Sequence, residues 1–462
     1  VDALRVAVAC ADTELTPDEG YTAASCSMEM SGSAIRYVAA AVKQKLFSMA
    51  AEKFSCDIQD LMVNDGTISN HSGTSAVTYW DLVGDTGFEC DVSDSIVKTK
   101  GSIERDSSDK LSYQRSLGIA TGEFEYIQDH DRPNMLHGRV IRPPNYYARL
   151  ESVDVAVVNS MAGVNRVVQN GSFLAVIAET EYQAVKASSR LENSIKWKQE
   201  VDISVVDISE QLLEGPKRSV MVTEDLNTDG NRPDVSSDPR SRKLRARYQR
   251  PYLMHGSIGP SCAIALFEKN QLKVWTHSQG VYPLREALSF VLKIDTQNIR
   301  VIHLPGAGCY GHNGADDAAL DAALLARECN GVPVRLSRSR KDEHCWAPYG
   351  SAMRVELEAG VDKNNDSVFW NHDVYSDAHG KRPGPNSDGS HLLASWHLEA
   401  PHSQPETTVP WNDIYLGIGF NAVPIYNIPN RNINLHRVEP LPLRVSALRS
   451  LGAYTNVCLL YT

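Results

Sequence analysis

The residues best suited to chemistry lie between Pro305 and Ala326, PGAGCYGHNGADDAALDAALLA. Gly306, Gly308 and Gly311 punctuate a loop between an apolar run, Ile299 to Leu304, that predicts a strand, and an alanine-rich run that predicts a helix. Glycine leaves backbone amides uncovered, so such a loop lets N–H groups approach a phosphate or an oxo group closely. Gly306-Ala307-Gly308-Cys309-Tyr310-Gly311 also satisfies GxGxxG, the dinucleotide fingerprint. The residues after it argue against a nicotinamide. His312, Asn313 and Gly314 lengthen the loop, and Asp316 and Asp317 stand where a helix N-terminus would receive a pyrophosphate. Acidic side chains suit the helix dipole there but repel phosphate. The loop therefore reads as a cradle for another cofactor, with a Rossmann-type nicotinamide dehydrogenase and a non-catalytic cofactor-binding module as the alternatives. Two nearby features read as structural. His255-Gly256-Ser257-Ile258-Gly259 misses the GxSxG nucleophile elbow by its first residue, and Cys309 reads as a small buried hydrophobe.

Those residues need strands and helices to hold them. Strands are predicted over Leu136 to Arg142, stopped by Pro143-Pro144, and over Val164 to Val168 and Phe173 to Ile177. The last two flank Gln169-Asn170-Gly171, a hairpin signal. Further strands are expected near 263–267, 273–277, 300–304 and 333–337, and a short one over Arg5 to Cys10. A helix over 34–54 is predicted from Ile35, Val38, Val42, Leu46 and Met49 at three- and four-residue steps. A second is predicted from Thr180 to Trp197, with Ala184, Ala187, Leu191 and Ile195 on one face. Residues 66–116 read as loop-rich, and no internal repeat is present.

At 462 residues the chain is long enough for two or three domains. A net charge of −11 excludes a nucleic-acid role, which needs a concentrated basic surface. The one basic run, Arg240 to Arg247, reads as a solvated linker. Nine cysteines without regular spacing do not form a disulfide framework. No CxxC or HExxH offers a cluster or zinc site. No apolar run approaches the roughly 20 residues that cross a bilayer.

Four segments carry a resemblance together: Thr22-Ala23-Ala24-Ser25-Cys26-Ser27, Trp275-Thr276-His277-Ser278-Gln279, the glycine loop, and Leu443 to Ala453, LRVSALRSLGA. The chain resembles the molybdopterin-binding large subunits of the xanthine dehydrogenase and aldehyde oxidase family of molybdenum hydroxylases. Within it, LHGRVIRPP and THSQGVYPLREAL are most similar to the bacterial branch of nicotinate dehydrogenase and isoquinoline 1-oxidoreductase large subunits. The resemblance covers nearly the whole chain. It implies an α/β (α+β) fold: a molybdopterin-binding domain with an inserted α/β-hammerhead domain. The expected boundaries are 1–116 for a permuted N-terminal part, 117–205 for the hammerhead, 206–248 for a linker, and 249–462 for the rest.

The same resemblance implies roles. Gln279 matches the glutamine that hydrogen-bonds the apical oxo ligand. Gly306, Gly308, Cys309, Tyr310 and Gly311 match GGGFGG, whose amides face the metal's oxygen ligands. Arg449 matches the arginine of FRGFG, near metal and pterin. Ala24, Ser25, Cys26 and Ser27 match AASVS, which holds the pterin and its phosphate. His312 and Asn313 stand where xanthine-type members carry Lys-Glu, which implies a changed substrate pocket. The implied cofactor is the molybdenum cofactor, expected as the cytosine dinucleotide. The implied partners are a small 2Fe–2S subunit, a c-type cytochrome as a further acceptor, and an N-heterocycle or aldehyde substrate. The implied reaction is hydroxylation at carbon with water as oxygen source. The family's catalytic glutamate, in a GE motif, is expected after Thr462. No catalytic residue and no direct metal ligand is therefore assigned within the chain, and the expectation is a piece of a longer enzyme, inactive by itself.

Overall fold

A computed structural model describes residues 1, 5–85, 87, 89, 90, 92, 115–199, 207–222, 242–361, 367–384, 387–403, 417–428 and 431–461. They form two compact units. The first comprises Val1–Cys10 and Leu15–Glu125; the second comprises Ala11–Glu14 and Tyr126–Thr462.

In the first unit the predicted helix runs Ser33–Phe54 and ends at Ser55, whose left-handed φ of 53° stops it. Strands β1 (Leu61–Asn64), β2 (Thr67–Asn70) and β3 (Ala76–Thr78) follow as an antiparallel sheet. Leu46, Ala50 and Ala51 of the helix close over Leu61, Ile68 and Val77. The stripe is used only toward its C-terminal end, because Ile35 and Val38 are exposed. Arg5 to Cys10 does not form the predicted strand. Among the described residues no strand pairs with it, so its backbone groups gain no ladder there.

The second unit holds the larger core. Its main sheet has the order β13-β12-β11-β14-β4-β7-β6. These are β4 (Leu136–Ile141), β6 (Val164–Asn170), β7 (Phe173–Ala178), β11 (Cys262–Glu268), β12 (Gln271–Thr276), β13 (Ile299–His303) and β14 (Val334–Ser337). A small pair, β5 (Arg149–Val153) and β8 (Ile195–Lys198), forms its own two-stranded sheet, packed through Val153, Ile195 and Trp197 on Ile141, Leu174 and Val176. The second predicted helix is shorter than its stripe, running Glu181–Glu192 from a Thr180–Gln183 capping box. Ile195 and Trp197 belong instead to β8, paired with β5. Residues 126–199 share one compact unit with the described residues from 249 onward, and β4 continues the main sheet beside β14.

The stretch read as a linker is partly built into structure. Ile208–Glu214 is a helix, and β9 (Lys217–Val222) and β10 (Arg242–Arg250) are the two edges of a sheet ordered β10-β15-β16-β17-β9. Its other strands are β15 (Met353–Val361), β16 (Ser367–Ser376) and β17 (Arg431–Val438). From Arg242 on the basic run is a strand, because β15 supplies alternating acids opposite it; Arg240 and Ser241 lie outside the described residues. Arg245 faces Glu358 and Arg247 faces Glu356, with ion pairs of 3.1 and 3.3 Å. Cross-strand opposite charges support pairing.

The Ala315–Glu328 helix packs across β11, β12 and β14. Every residue from Ala315 to Ala326 is buried, with apolar partners on both sides. Alanine at so many positions lets the helix approach the sheet closely, which a stripe of larger residues would prevent. Among the described residues, no helix is long and apolar enough to cross a membrane.

Candidate cofactor site

Strands β12 and β13 run parallel, with Thr276 beside His303. The segments beyond them therefore leave the sheet at one edge. Gln279 and Gly306 each stand three residues past those paired positions, at the start of neighbouring loops. The loops are tied where they leave. Leu304 N–H donates to Thr276 O at 2.8 Å, and the His303 ring Nδ1 lies 3.0 Å from Ser278 O. Brought together at a strand's carboxyl edge, such loops form a common binding rim.

The glycines are needed for space as well as for conformation. A side chain on Gly306 would begin 2.6 Å from His277 Nδ1. Gly311 has φ of +137°, and a Cβ there would lie 2.2 Å from Ala447 O. The segment 445–449 is pressed against the loop. His312 N–H donates to Ala447 O at 2.7 Å, Arg449 N–H donates to Tyr310 O at 2.7 Å, and Gly311 bridges Leu448. On its other side the same segment is held by Tyr349, whose O accepts from Ser446 N–H at 2.8 Å. Arg449 thus meets the loop through its backbone, and the residue is exposed. Tyr310 is strained at φ 62° and exposed, whereas the Cys309 thiol turns inward to Gly311 O at 2.9 Å. Burial raises that thiol's pKa, as expected for a packing residue and not a nucleophile.

His312 and Asn313 are buried. Both ring nitrogens of His312 are engaged, with Ser446 Oγ at 2.9 Å and Asp316 Oδ2 at 2.7 Å. Asn313 donates to Ser257 Oγ at 3.3 Å and accepts from Ala315 N–H. These residues brace the loop in this structure and present no free polar face to a substrate. Ser257 is likewise a buried bracing hydroxyl.

Several residues that build the site carried no local signal. Arg444 grips both oxygens of Asp317 and also donates to Trp346 O and His391 O. Arg338 approaches the same carboxylate at 3.3 Å, and Arg142 pairs with Asp321 one turn further along the helix. Burial by itself raises Asp317, but Arg444 and Arg338 outweigh it and hold the carboxyl below its ordinary range. His255 sits between Pro348 O and Ala447 O, at 3.1 and 2.9 Å. Burial lowers its pKa to about 4, against the opposing pull of those carbonyls.

His277 has a defined tautomer. Cys262 N–H donates to its Nε2 at 3.3 Å, so the proton of the neutral ring is on Nδ1. Burial keeps the ring neutral, with a pKa lowered to about 4. That Nδ1–H is buried against Gly306 without a hydrogen-bond partner among the described residues.

Ala24, Ser25, Cys26 and Ser27 belong to the first unit. Ala24 and Ser25 are consecutive left-handed residues, φ 54° and 60°. Cys26 N–H closes a turn onto Ala23 O at 3.2 Å, and Ser25 and Ser27 are exposed. Two non-glycine residues in this region store strain of the order of 1–3 kcal/mol each, a pattern that clusters at ligand-binding turns.

The sequence matches the molybdopterin cofactor-binding domain twice, over residues 226–409 and over residues 1–124. A nicotinate dehydrogenase subunit of Pseudomonas putida is 31% identical over 466 residues, covering 98% of this chain and 37% of that protein. A probable xanthine dehydrogenase subunit of Bacillus subtilis is 25% identical, covering 56% of this chain and 38% of that protein. The chain therefore spans less than half the length of these relatives. Among solved structures, quinoline 2-oxidoreductase from Pseudomonas putida aligns with a TM-score of 0.54 at 18% identity, covering 73% of this chain and 45% of that one. The aldehyde oxidoreductase from Desulfovibrio desulfuricans aligns with a TM-score of 0.52 at 14% identity, covering 73% and 39%. The fold is thus the α/β fold of these oxidoreductases.

Proposed function

The chain belongs to the molybdopterin cofactor-binding family of molybdenum hydroxylase large subunits, and from that premise we propose that its protein hydroxylates an N-heteroaromatic compound or an aldehyde at carbon. Water supplies the oxygen, and the electrons pass to a small 2Fe–2S partner. The observation that carries this reading is the parallel β12–β13 edge, which starts the Gln279 and Gly306 loops side by side, with Arg449 N–H bonded onto the second.

The residues fit an oxygen-rich, phosphate-bearing group. The notch beside Gly306 has no room for a Cβ, and an N–H of His277 ends there without a partner among the described residues. The amide of Gly311 and the carboxamide of Gln279 would donate to oxo oxygens, whereas the Gly308 N–H, expected to do the same, is turned onto Gly306 O at 2.8 Å; a carboxamide donates without becoming a competing ligand. Arg449 would supply positive charge at the rim. Within the first unit, the exposed hydroxyls of Ser25 and Ser27 on their strained turn suit a phosphate, and we assign the cytosine dinucleotide form. When bound, the molybdenum cofactor supplies the two-electron redox chemistry. The chain's own part is to orient it, and to keep the loop rigid through the Asp317–Arg444 pair.

A nicotinamide in this loop is disfavoured, because the first turn of the Ala315–Glu328 helix is filled by buried Asp316 and Asp317. The test is to purify the full protein with its partner subunits, then measure molybdenum by mass spectrometry and released nucleotide by chromatography. Dye-linked oxidation of nicotinate, isoquinoline and a panel of aldehydes completes it. Molybdenum with cytidine monophosphate and turnover on one substrate class is expected. A bound nicotinamide nucleotide and no molybdenum would overturn the reading.

A further inference from the structure

The segment that follows β10 holds the Arg449 turn at two carbonyls. Arg250, the last residue of β10, donates from Nη1 to Leu451 O and from Nη2 to Ser351 O, each at 2.7 Å. His255 lies 2.9 Å through Nε2 from Ala447 O and 3.1 Å through Nδ1 from Pro348 O. A neutral ring has one N–H, and the shorter contact assigns it to Nε2. Both side chains therefore bridge the same two segments, 447–451 and 348–351. Ala447 and Leu451 stand two residues before and two residues after Arg449, whose own N–H donates to Tyr310 O at 2.7 Å. The backbone on each side of Arg449 is fixed, and Arg449 itself is exposed.

Stability does not account for an arginine at position 250. It is 7% exposed and forms no ion pair among the described residues, and its Nε has no hydrogen-bond partner among them. Burial pulls its pKa down to about 10. A buried cation without a carboxylate is costly, and well-packed apolar residues commonly serve an interior as well or better. The turn it holds is strained too. Ser450 and Leu451 are consecutive left-handed residues, φ 73° and 48°, a conformation that persists only where the surroundings impose it. Gly452 follows, where a Cβ would lie 2.4 Å from Ile418 O. Both costs fall on the residues that shape the chain around Arg449.

We propose that Arg250 is a positioning residue for Arg449: by fixing Leu451 O against Ser351 O it sets where the Arg449 guanidinium stands at the rim of the Gly306–Gly311 loop. The proposal rests on the cofactor-site reading above. Arg250 does not meet the reacting atoms and acts through Arg449. A guanidinium suits the task, because its donors form a rigid fork that reaches two carbonyls on separate segments at once, which a single ammonium does not reproduce. His255 keeps its hold on Ala447 O when Arg250 is replaced, so the loss of Arg250 displaces the turn without releasing it.

Arg250→Met, Arg250→Lys, Arg449→Ala and the double variant Arg250→Met with Arg449→Ala are made in the full protein with its partner subunits. Molybdenum content, kcat and KM on the substrate the wild type turns over, and the rate of trypsin cleavage after Arg449 are measured. Arg250→Met should keep its molybdenum and lose about 10- to 10²-fold in kcat/KM, the effect of misplacing a group by an ångström. In the Arg449→Ala background the same substitution should cost nothing further, because residues that act through one another are not additive. Arg250→Lys, which keeps the charge and one donor, should recover part of the loss. Trypsin cleavage of the Arg449–Ser450 bond needs no cofactor, and should be faster in Arg250→Met while cleavage elsewhere is unchanged. If Arg250→Met does not fold, Arg250→Lys takes its place in the cycle and in the cleavage assay.

Additive losses overturn the proposal, as does activity lost only in proportion to molybdenum, since either would make Arg250 a packing residue. Full activity in Arg449→Ala overturns it as well, and so does a wild-type rate of cleavage after Arg449 in the Arg250 variant. Absence of molybdenum from the wild type overturns the hydroxylase reading instead, and the cleavage rate then decides by itself whether Arg250 holds the turn.

Discussion

Asp317 shows how one residue can matter more to a site than those that face the ligand. It is 3% exposed, and Arg444 meets both of its oxygens. Removing one partner of a buried ion pair leaves an uncompensated charge and costs about 3–5 kcal/mol. Arg338 stays 3.3 Å from the Asp317 carboxylate, so Arg444→Met should lower the unfolding free energy in urea by the lower end of that range. It should also loosen the 445–449 turn, so that cofactor retention falls with stability. An unchanged urea midpoint would show that Trp346 and His391 carry the turn without the pair. Gly311→Ala combines a forbidden φ with a 2.2 Å approach to Ala447 O. It should abolish molybdenum retention, read by metal analysis, while the remainder of the second unit stays folded by circular dichroism.

Two helices separate what amphipathic pattern implies from what packing requires. The Ser33–Phe54 helix leaves Val38 48% exposed, so Val38→Ala should change stability by no more than about 0.5 kcal/mol. The Ala315–Glu328 helix has Ala319 at 0% exposure, between sheet and neighbouring loop. Ala319→Leu must push into a filled interior and should cost about 1–3 kcal/mol by urea denaturation. Equal costs for the two substitutions would mean that close packing is not why the second helix is alanine-rich. The same distinction applies to β10, whose arginines need the glutamates of β15. Neither strand's charge pattern is meaningful without the other.

At the scale of the molecule, buried histidines set the acid response. Burial lowers His255, His277, His372 and His391 to about 4 and His379 and His397 to about 3. A lowered folded-state pKa contributes stability that is whole above the unfolded value, about 6.5, and is lost as pH falls through the folded value. Asp377 acts oppositely. Burial raises it to about 7, against Lys381 and aided by Glu439, so its contribution is lost as pH rises from about 3.9 to that value. His137 and His303 are lowered by burial too, and the Asp321 carboxyl is raised by it; the imidazoles outnumber these two carboxyls, and urea midpoints should fall steadily from pH 7 to pH 4. A flat profile across that window would show that these rings are not buried in solution. Asp377→Asn should steepen the fall, since it removes an opposing slope.

How much of the molecule is legible in its sequence depends on the range of each interaction. The strand–loop–helix unit around Gly306 is readable because its parts are contiguous: an apolar run, glycines that permit close approach, and alanines. Strands β4, β6, β7, β11, β12, β13 and β14 are readable for the same reason, each being a local run bounded by turn residues. The family is legible too, because its motifs are short and rarely occur together by chance. Arg5 to Cys10 misleads, because β-branched residues predict a strand without saying whether a neighbour exists. Ile195 and Trp197 continue a helical stripe, yet find β5 as a partner. The basic run looks like a linker until β15 brings its acids opposite. The Asp317–Arg444 pair and the link from Ser446 to His312 join residues more than a hundred positions apart, and no local pattern encodes them. Sequence alone determined which residues could touch a cofactor. Only the tertiary structure decided which of them, such as His312, are already fully occupied with one another, because burial and hydrogen-bond partners exist only once distant segments meet.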